Sequence, residues 1–550
     1  MNKKWFKASS AILASTMVLS LVACNKNSKT SVNVNDKSAS TVLEGFKKFK
    51  GVTLTYWHPF TSTYIKSVDD NLVMKEMEKK TGIKIKFISP PAGQVSEAFN
   101  LMIASGEYPD LINDAGYKGG GVNAIQDGVY LKLNDDISKY APNYTKVMGL
   151  SPDIARQAKE DGGTVWSFKC IQSADEPSWG GPVIRKDFLD ELGLEIPKTI
   201  DDWSTVLKAF KEKKKLETPM LLPLSNFYAT EAFAGTFGSS YSQFLNKNGT
   251  IVYGPIEPGF KDFLILMNKW YKEGLIDQDF ATRDSKSSDA QITAGKSGSS
   301  ATVFYGSFGP YEAAGKATNP KYSLVPTPYP VLNAGDDPAK TLHIGNKNWN
   351  SKGCDLAIST SCKDVEAAIK WIDYRYSDEG FMLFNYGIEG TSYKWVDGAV
   401  EKKDGPEFFP PTMAEKIKKQ HPEFTELVTK NPDGVDPGTA NEKYKSLYVA
   451  NLRNPLSYVM APEVYDAMDK WSTPGKDYIL PPLSQKDSEA KLDGNVMSPI
   501  DTYRQEMVFK FIMGAEPISN FDKYVSQIKK LGIDKSIKIR QDQLGRYLKR

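Results

Sequence analysis

Two hydrophobic periods exchange along this chain, and that exchange limits what it can fold into. Gly51 to His58, GVTLTYWH, alternates as a strand, and Ser67 to Lys80 changes to helical spacing, with Leu72, Val73, Met74 and Met77 on one face and Gly82 as the stop. Ile83 to Ile88, IKIKFI, returns to the strand period and ends at Pro90-Pro91. Val95 to Ser105 is helical again, and Gly106 to Asp110 turns into a short apolar strand, Leu111-Ile112. Strands alternating with helices in this order predict a mostly parallel sheet with helices on both faces.

The pattern restarts downstream. Pro182 to Ile184 reads as a strand, Lys186 to Leu192 as a helix closed by Gly193, and Thr199 to Lys213 as a helix with Thr199 at its N-cap and Asp202 in the reciprocal capping position. Further helices are expected over Gly259 to Glu273, Val365 to Tyr376 and Asp378 to Tyr386, followed by a carboxyl-terminal pair from Thr502 to Arg550. A chain of 550 residues exceeds one ordinary core, so two α/β lobes or more are expected. Connectors rich in Pro and Gly at 323–355, 403–412 and 431–438 suit crossovers between lobes.

Lys3, Lys4 and Lys7 precede an apolar run from Ala11 to Ala23, the layout of a secretory signal. The run is shorter than the roughly 20 apolar residues that span a bilayer. It closes on Leu21-Val22-Ala23-Cys24, which resembles the lipobox of bacterial lipoproteins, where the cysteine sulfur takes diacylglycerol before cleavage on its amino side. Residues 1–23 are therefore expected to be a signal peptide, and 24–48, polar and rich in Ser and Asn, a lipidated flexible tether.

The chain has 70 Lys+Arg against 67 Asp+Glu, and the leader's three lysines account for the whole difference. The remainder is neutral, which gives no global electrostatic reason to expect nucleic acid as a partner. Besides Cys24, only Cys170, Cys354 and Cys362 remain, so at most one disulfide can form, with Cys354 and Cys362 the nearest pair. His58, His343 and His421 are the only histidines, too few and too scattered for a zinc site, so no zinc and no cofactor is expected and no metal ligand is selected.

Catalytic and phosphate motifs fail on inspection. Gly295-Lys296-Ser297 would need a glycine where Ala290 stands. Asn246-Lys247-Asn248-Gly249 lacks the acidic ligands of a calcium loop and reads better as an Asn-Gly turn between two strands. No Gly-x-Ser-x-Gly elbow and no His-Glu-x-x-His occurs.

Six segments, in order and at fitting separations, carry a resemblance. VTLTYW (52–57), ASGEYPDLI (104–112), RKDFLDELGLEIPKTIDDW (185–203), YKEGLIDQDF (271–280), WIDYRYSDEGFMLFNYGIEGTSY (371–393) and FIMGAEPISNFDKYVSQIKKLGID (511–534) resemble family 1 extracellular solute-binding proteins, within them the long LplA-like or LipO-like lipoproteins of carbohydrate ABC importers. The resemblance implies a two-lobed α/β periplasmic-binding-protein fold of type II kind, with a ligand cleft between lobes joined by crossover strands. Residues 49–165 with 350–402 would form the amino-terminal lobe, and 166–349 with 403–550 the carboxyl-terminal one. It further implies a monomeric, non-enzymatic receptor on the extracellular face of the cell membrane, which delivers an oligosaccharide to ABC permease subunits. Val183-Ile184-Arg185-Lys186-Asp187 departs from the family's Trp-Arg-x-Asp, moving the aromatic back to Trp179 or losing it. Two rivals stand beside this reading: the same fold binding a peptide or other non-sugar solute, and a surface carbohydrate-degrading lipoprotein.

Sugars offer apolar C–H faces rimmed by hydroxyls, so a sugar cleft needs aromatic platforms with carboxylates and amides at their edges. Open α/β sheets bind ligands at strand ends. That rule selects Trp57 and His58 after the first strand, Asn113, Asp114 and Tyr117 after PDLI, Trp179 before the second-lobe strand, and Phe227 and Tyr228 after Pro223. Tyr305 and Phe308 follow Ala301 to Phe304, where the resemblance puts a cleft aromatic, and Trp349 and Trp395 lie in polar loops. Trp203, Trp270 and Trp371 sit at apolar helical spacing and are expected in cores, while Asp110 is expected to orient a turn. Cells grown with labelled palmitate should incorporate label into this chain; equal labelling of Cys24→Ser would remove the anchor.

Overall fold

The computed structural model describes residues 42–60, 66–171, 178, 180–223, 231–338, 341–342, 349, 351–386, 388, 467, 470–471 and 478–550. Its first sheet has the order β2-β1-β3-β11-β4. In it β1 (Thr53–Trp57) lies parallel to both β2 (Lys84–Ile88) and β3 (Leu111–Asn113). The late strand β11 (Ser351–Ile358) runs antiparallel between β3 and β4 (Ser167–Ile171). Alternation along β1 sends Tyr56 into the main core of this lobe, with Trp371, and Trp57 to the opposite face, with Phe99 and Trp166.

Around this sheet lie α1 (Leu72–Thr81), α2 (Val95–Ser105), α3 (Gly120–Gln126), α4 (Asn134–Tyr140), α5 (Pro142–Met148) and α6 (Pro152–Gln157). Asn71 starts α1, its side chain accepting from the amides of Val73 and Met74.

A second sheet has the order β10-β5-β9-β6, built from β5 (Gly180–Arg185), β6 (Thr218–Leu221), β9 (Ser297–Phe304) and β10 (Leu324–Pro326). Only β6 and β9 are parallel; β5 is antiparallel to both of its neighbours. Both sheets are therefore mixed, which corrects the expectation of a mostly parallel sheet. The cause is topological: β11 re-enters the first sheet from the side of the second and so runs against β3. The chain leaves the first sheet after Ile171, a little beyond residue 165, because Ser167–Ile171 is that sheet's edge strand.

The second lobe continues with α7 (Lys186–Leu192), α8 (Ile200–Lys213), α9 (Pro258–Lys272), α10 (Ser285–Thr293) and α11 (Phe308–Thr318). β7 (Phe244–Lys247) and β8 (Thr250–Tyr253) form the expected hairpin, with φ of 54° at Asn248 and 88° at Gly249, the left-handed pair that a two-residue tip requires. After β11 come α12 (Val365–Asp373) and α13 (Asp378–Tyr386). The expected carboxyl-terminal pair is three helices: α14 (Asp487–Met513), α15 (Phe521–Leu531) and α16 (Ile533–Tyr547). Gly514 and Gly532 separate them. Residues of α14 and α15 complete the second-lobe core around the buried Trp203 and Trp270.

Cys362 is a buried free thiol, so no Cys354–Cys362 bridge exists, and burial pushes its pKa up to about 12. No helix among the described residues is long and apolar enough to cross a membrane. The capping box at α8 is complete: Thr199 accepts from the Asp202 amide at 3.1 Å, and Asp202 accepts from the Thr199 amide at 2.9 Å. Thr199→Ala should lower stability by about 1 kcal/mol in urea unfolding; an unchanged midpoint would show that the cap is redundant.

Candidate functional site

The carboxyl ends of β1, β3 and β4 and the start of β11 share one edge of the first sheet, as their registers require. In the second sheet the start of β5 pairs with the end of β9, Gly180 opposite Phe304, and β6 ends beside them. The chain crosses between sheets from those edges, after Ile171 and before Ser351. Strand-end residues of both lobes thus gather at the crossovers, where an open α/β sheet exposes its binding groups.

Asp110 orients the turn before β3, accepting from the Thr55 amide and hydroxyl at 2.7 Å each. That fixes where Asn113 and Asp114 emerge. The Asp114 carboxylate accepts from the Tyr130 hydroxyl at 2.7 Å and from the amides of Gly116 and Tyr117 at 3.0 and 3.2 Å. Burial still raises its pKa, against the pull of these donors. The Tyr130 ring stacks on Trp166, with centroids 5.6 Å apart and planes 4° from parallel. Trp166 in turn covers Gly121, where a Cβ would stand 2.0 Å from the indole, so only glycine permits the approach.

Beside this stack, in register across β4 and β11, Lys169 Nζ lies 2.6 Å from Asp355 Oδ1, and the Ser167 hydroxyl donates to the same oxygen at 2.6 Å. Lys169 Nζ also sits 5.3 Å from the centre of the Trp166 ring. Tyr117 donates to Asp127 at 2.8 Å, its ring 5.8 Å from Tyr130. Asp114, Asp127, Asp355, Lys169 and half-buried Tyr117 therefore stand together at one sheet edge, over the buried Tyr130–Trp166 stack, whose rings are 1% and 4% exposed. They can donate to, accept from and stack on a polyhydroxylated ligand.

Of the residues chosen from sequence, Asp114 and Tyr117 belong to this cluster, and half-buried Asn113 ends β3 beside it. Trp57 and His58 are placed in the interior, 3% and 2% exposed, the first against Phe99 and the second between Tyr56 and Phe87. Phe308 is wholly buried against Trp471. Tyr305 opens the turn after β9, and Trp349, half-buried, donates its indole N–H to the Leu480 carbonyl at 2.8 Å. Cys24, Trp179, Phe227, Tyr228 and Trp395 lie outside the described residues. Sequence reasoning missed Tyr130, Trp166, Lys169 and Asp355. A lone lysine inside the apolar strand SFKCI was the one available signal.

A cavity of about 550 Å³ in the second lobe is lined by Thr236, Lys247, Asn248, Asp336 and Tyr478 among others, and by none of the residues chosen from sequence. Among the described residues no three His, Cys, Asp or Glu side chains gather as a metal site would need.

Comparison with known proteins agrees with this architecture. The profile described as bacterial extracellular solute-binding protein matches residues 61–380, and the chain belongs to that family. It is thereby a binding protein and not an enzyme. The fructooligosaccharide ABC transporter substrate-binding protein FusA of Streptococcus pneumoniae serotype 4 is 25% identical over 543 residues, covering 92% of this chain and 96% of that one. Lipoprotein LipO of Bacillus subtilis is 24% identical over 346 residues, 60% of this chain and 65% of its own. Among solved structures, the HMO binding ABC-transporter associated solute binding protein of Bifidobacterium longum infantis superposes with a TM-score of 0.69 at 20% identity, covering 90% of this chain and 99% of that one.

Burial, and after it the nearby Arg375 charge, lowers the His58 pKa from 6.5 to about 3. The unfolded chain takes up this proton near 6.5 and the folded protein only near 3, so acidification through that window favours unfolding. His58→Gln should lose stability less steeply than the parent between those pH values in thermal melts; parallel slopes would show that another group governs acid unfolding.

Proposed function

We propose that this chain is a lipid-anchored extracellular receptor that captures an oligosaccharide between its lobes and delivers it to the permease subunits of an ABC importer. The observation that carries the reading is the Lys169–Asp355 pair beside half-buried Asp114 and Tyr117, polar groups and a ring that the buried Tyr130–Trp166 stack supports at the edge from which the chain crosses between lobes. FusA, whose name gives fructooligosaccharide as its cargo, matches along nearly the whole chain and supports a saccharide. The name of LipO supports the anchor at Cys24, with 24–48 as its tether.

The lobes are residues 49–171 with 350–402 and 172–349 with 403–550, so the first boundary moves past β4 from 165 to 171. Asn113, Asp114 and Tyr117 join Lys169 and Asp355 as the first-lobe contacts, with Tyr130 and Trp166 supporting them from beneath. From the second lobe, Trp179, Phe227, Tyr228 and Tyr305 are the proposed contacts. Trp57, His58 and Phe308 back the site from the interior, and Trp349 and Trp395 are further proposed contacts. Closure of two lobes over a ligand shifts a two-state equilibrium by the ligand's preference for the closed form, which is the form a permease reads.

Calorimetric titration with fructooligosaccharides and a panel of plant and microbial oligosaccharides, followed by product analysis, tests this. Heat of binding without cleavage is the expected result. Lys169→Met should weaken binding at least about tenfold, equivalent to roughly 1.4 kcal/mol. Bond cleavage, or no saccharide bound across the panel, overturns the reading.

A further inference from the structure

Arg546, in the last turn of α16, and Arg550, three residues past its end, close on a single carboxylate, Asp161. Arg546 Nε reaches Asp161 Oδ2 at 2.6 Å, while Arg550 Nε and Nη2 reach Oδ1 at 3.1 and 2.9 Å. The remaining nitrogens of Arg546 fork onto Glu489 of α14 at 2.9 and 2.8 Å, the bidentate geometry in which an arginine is strongest. Arg550, with its side chain 2% exposed, also donates to the Lys159 carbonyl at 2.8 Å and bonds the Ser484 hydroxyl.

The two sides of this network belong to different lobes. Asp161 precedes a segment fixed to α4, where Asn134 donates to the Gly163 carbonyl at 2.9 Å and accepts from the Val165 amide at 2.9 Å. Arg546 and Glu489 ride on helices fixed to the second lobe, and Arg550 is tied to the end of α16 by its amide, which donates to the Tyr547 carbonyl at 3.1 Å. In α16, Gln541 bonds Gly249 and Ile251 of the hairpin at 2.9 Å each, while α14 supplies Ile500 and Val508 to the second-lobe core. The network is thus a noncovalent bridge between lobes.

Its location is beside a crossover. The Ser351 amide at the start of β11 donates to Gln157 of α6 at 2.8 Å, and Trp349 just before it bonds Leu480, a few residues from Ser484. When two bodies rotate, atoms near the axis move least, so a bridge here can persist while distant contacts open. Glu160 adds a link to the ligand cluster. One of its oxygens accepts the Trp166 indole N–H at 3.1 Å and the other bonds Ser484.

We propose that Asp161, held between Arg546 and Arg550, is the pivot on which the lobes turn, and that Glu160 is the positioning residue that ties Trp166 to that pivot. The pivot stands on the ion network alone; its tie to ligand capture rests on the receptor reading above. Partly buried ion pairs of this kind are screened less than surface ones, and removing one partner leaves like charges facing each other.

Small-angle scattering on the full, ligand-free protein tests the pivot. Asp161→Asn should raise the radius of gyration by about 1 Å above the roughly 24 Å of a compact chain of this length, and Asp161→Glu should restore the parent value. The unmutated protein supplies a second measurement that does not depend on a variant folding. From about 0.1 M to about 1 M salt, as the screening length falls from about 10 Å to about 3 Å, amide exchange over 159–166 and over 482–489 should accelerate together. Unchanged dimensions in Asp161→Asn, or exchange in the two segments that responds independently to salt, overturns the proposal. Neither measurement uses a saccharide, so a failed pivot leaves the receptor reading standing, and a failed titration leaves the pivot standing.

Discussion

The pairing of β11 with β4 is the contact on which both lobe and site depend. Among the described residues β4 has no other neighbour in its sheet, so β11 is the partner that holds the strand carrying Ser167 and Lys169. The same pairing brings Asp355 opposite Lys169 from 186 residues away, and the Asp355 carbonyl fixes the Asp114 amide at 2.8 Å. One strand therefore closes the sheet and supplies a carboxylate to its binding edge. The polar groups it gathers are satisfied largely by one another, which lets Ser167 and Lys169 sit buried and Asp114 and Asp355 half-buried without the cost of unpaired charge.

What was legible in the sequence was local. Thr199 with Asp202, the Asn248-Gly249 tip and the turn at Asp110 each depend on neighbours within a few residues or on one adjacent strand, and each stands as read. Trp203, Trp270 and Trp371 are core because helical spacing alone puts them on a buried face. What was not legible depends on strand order. Mixed sheets follow from where β11 re-enters, and no periodicity within β11 encodes that. The same limit hid the Lys169–Asp355 pair, whose partners have no spacing in common.

Strand-end position was a sound guide to where binding groups gather but a weaker guide to which of them face outward. Trp57 ends β1 yet points to the face covered by α2, and His58 lies in a pocket where Tyr56 and Phe87 pack around it. Nearby, the Arg375 guanidinium rests 4.2 Å from the centre of Trp371 and discourages a second positive charge on the imidazole. These aromatics spend their surface on holding the edge rigid. Outward presentation falls to half-buried Asp114 and Tyr117, whose backbone positions that interior fixes.

The interleaving of the lobes along the chain has a consequence for how the molecule is made. All four strands of the second sheet, and the hairpin, are synthesised between β4 and β11. A chain emerging from its amino end can dock β1, β2 and β3, but β4 must wait for a strand that appears only after the neighbouring lobe's strands are out. Long-range pairings of this kind slow folding and expose unpaired strand edges while they wait. The edge left open in that interval is the one that later carries Lys169, so the surface destined for a ligand is also the last part of its sheet to be covered.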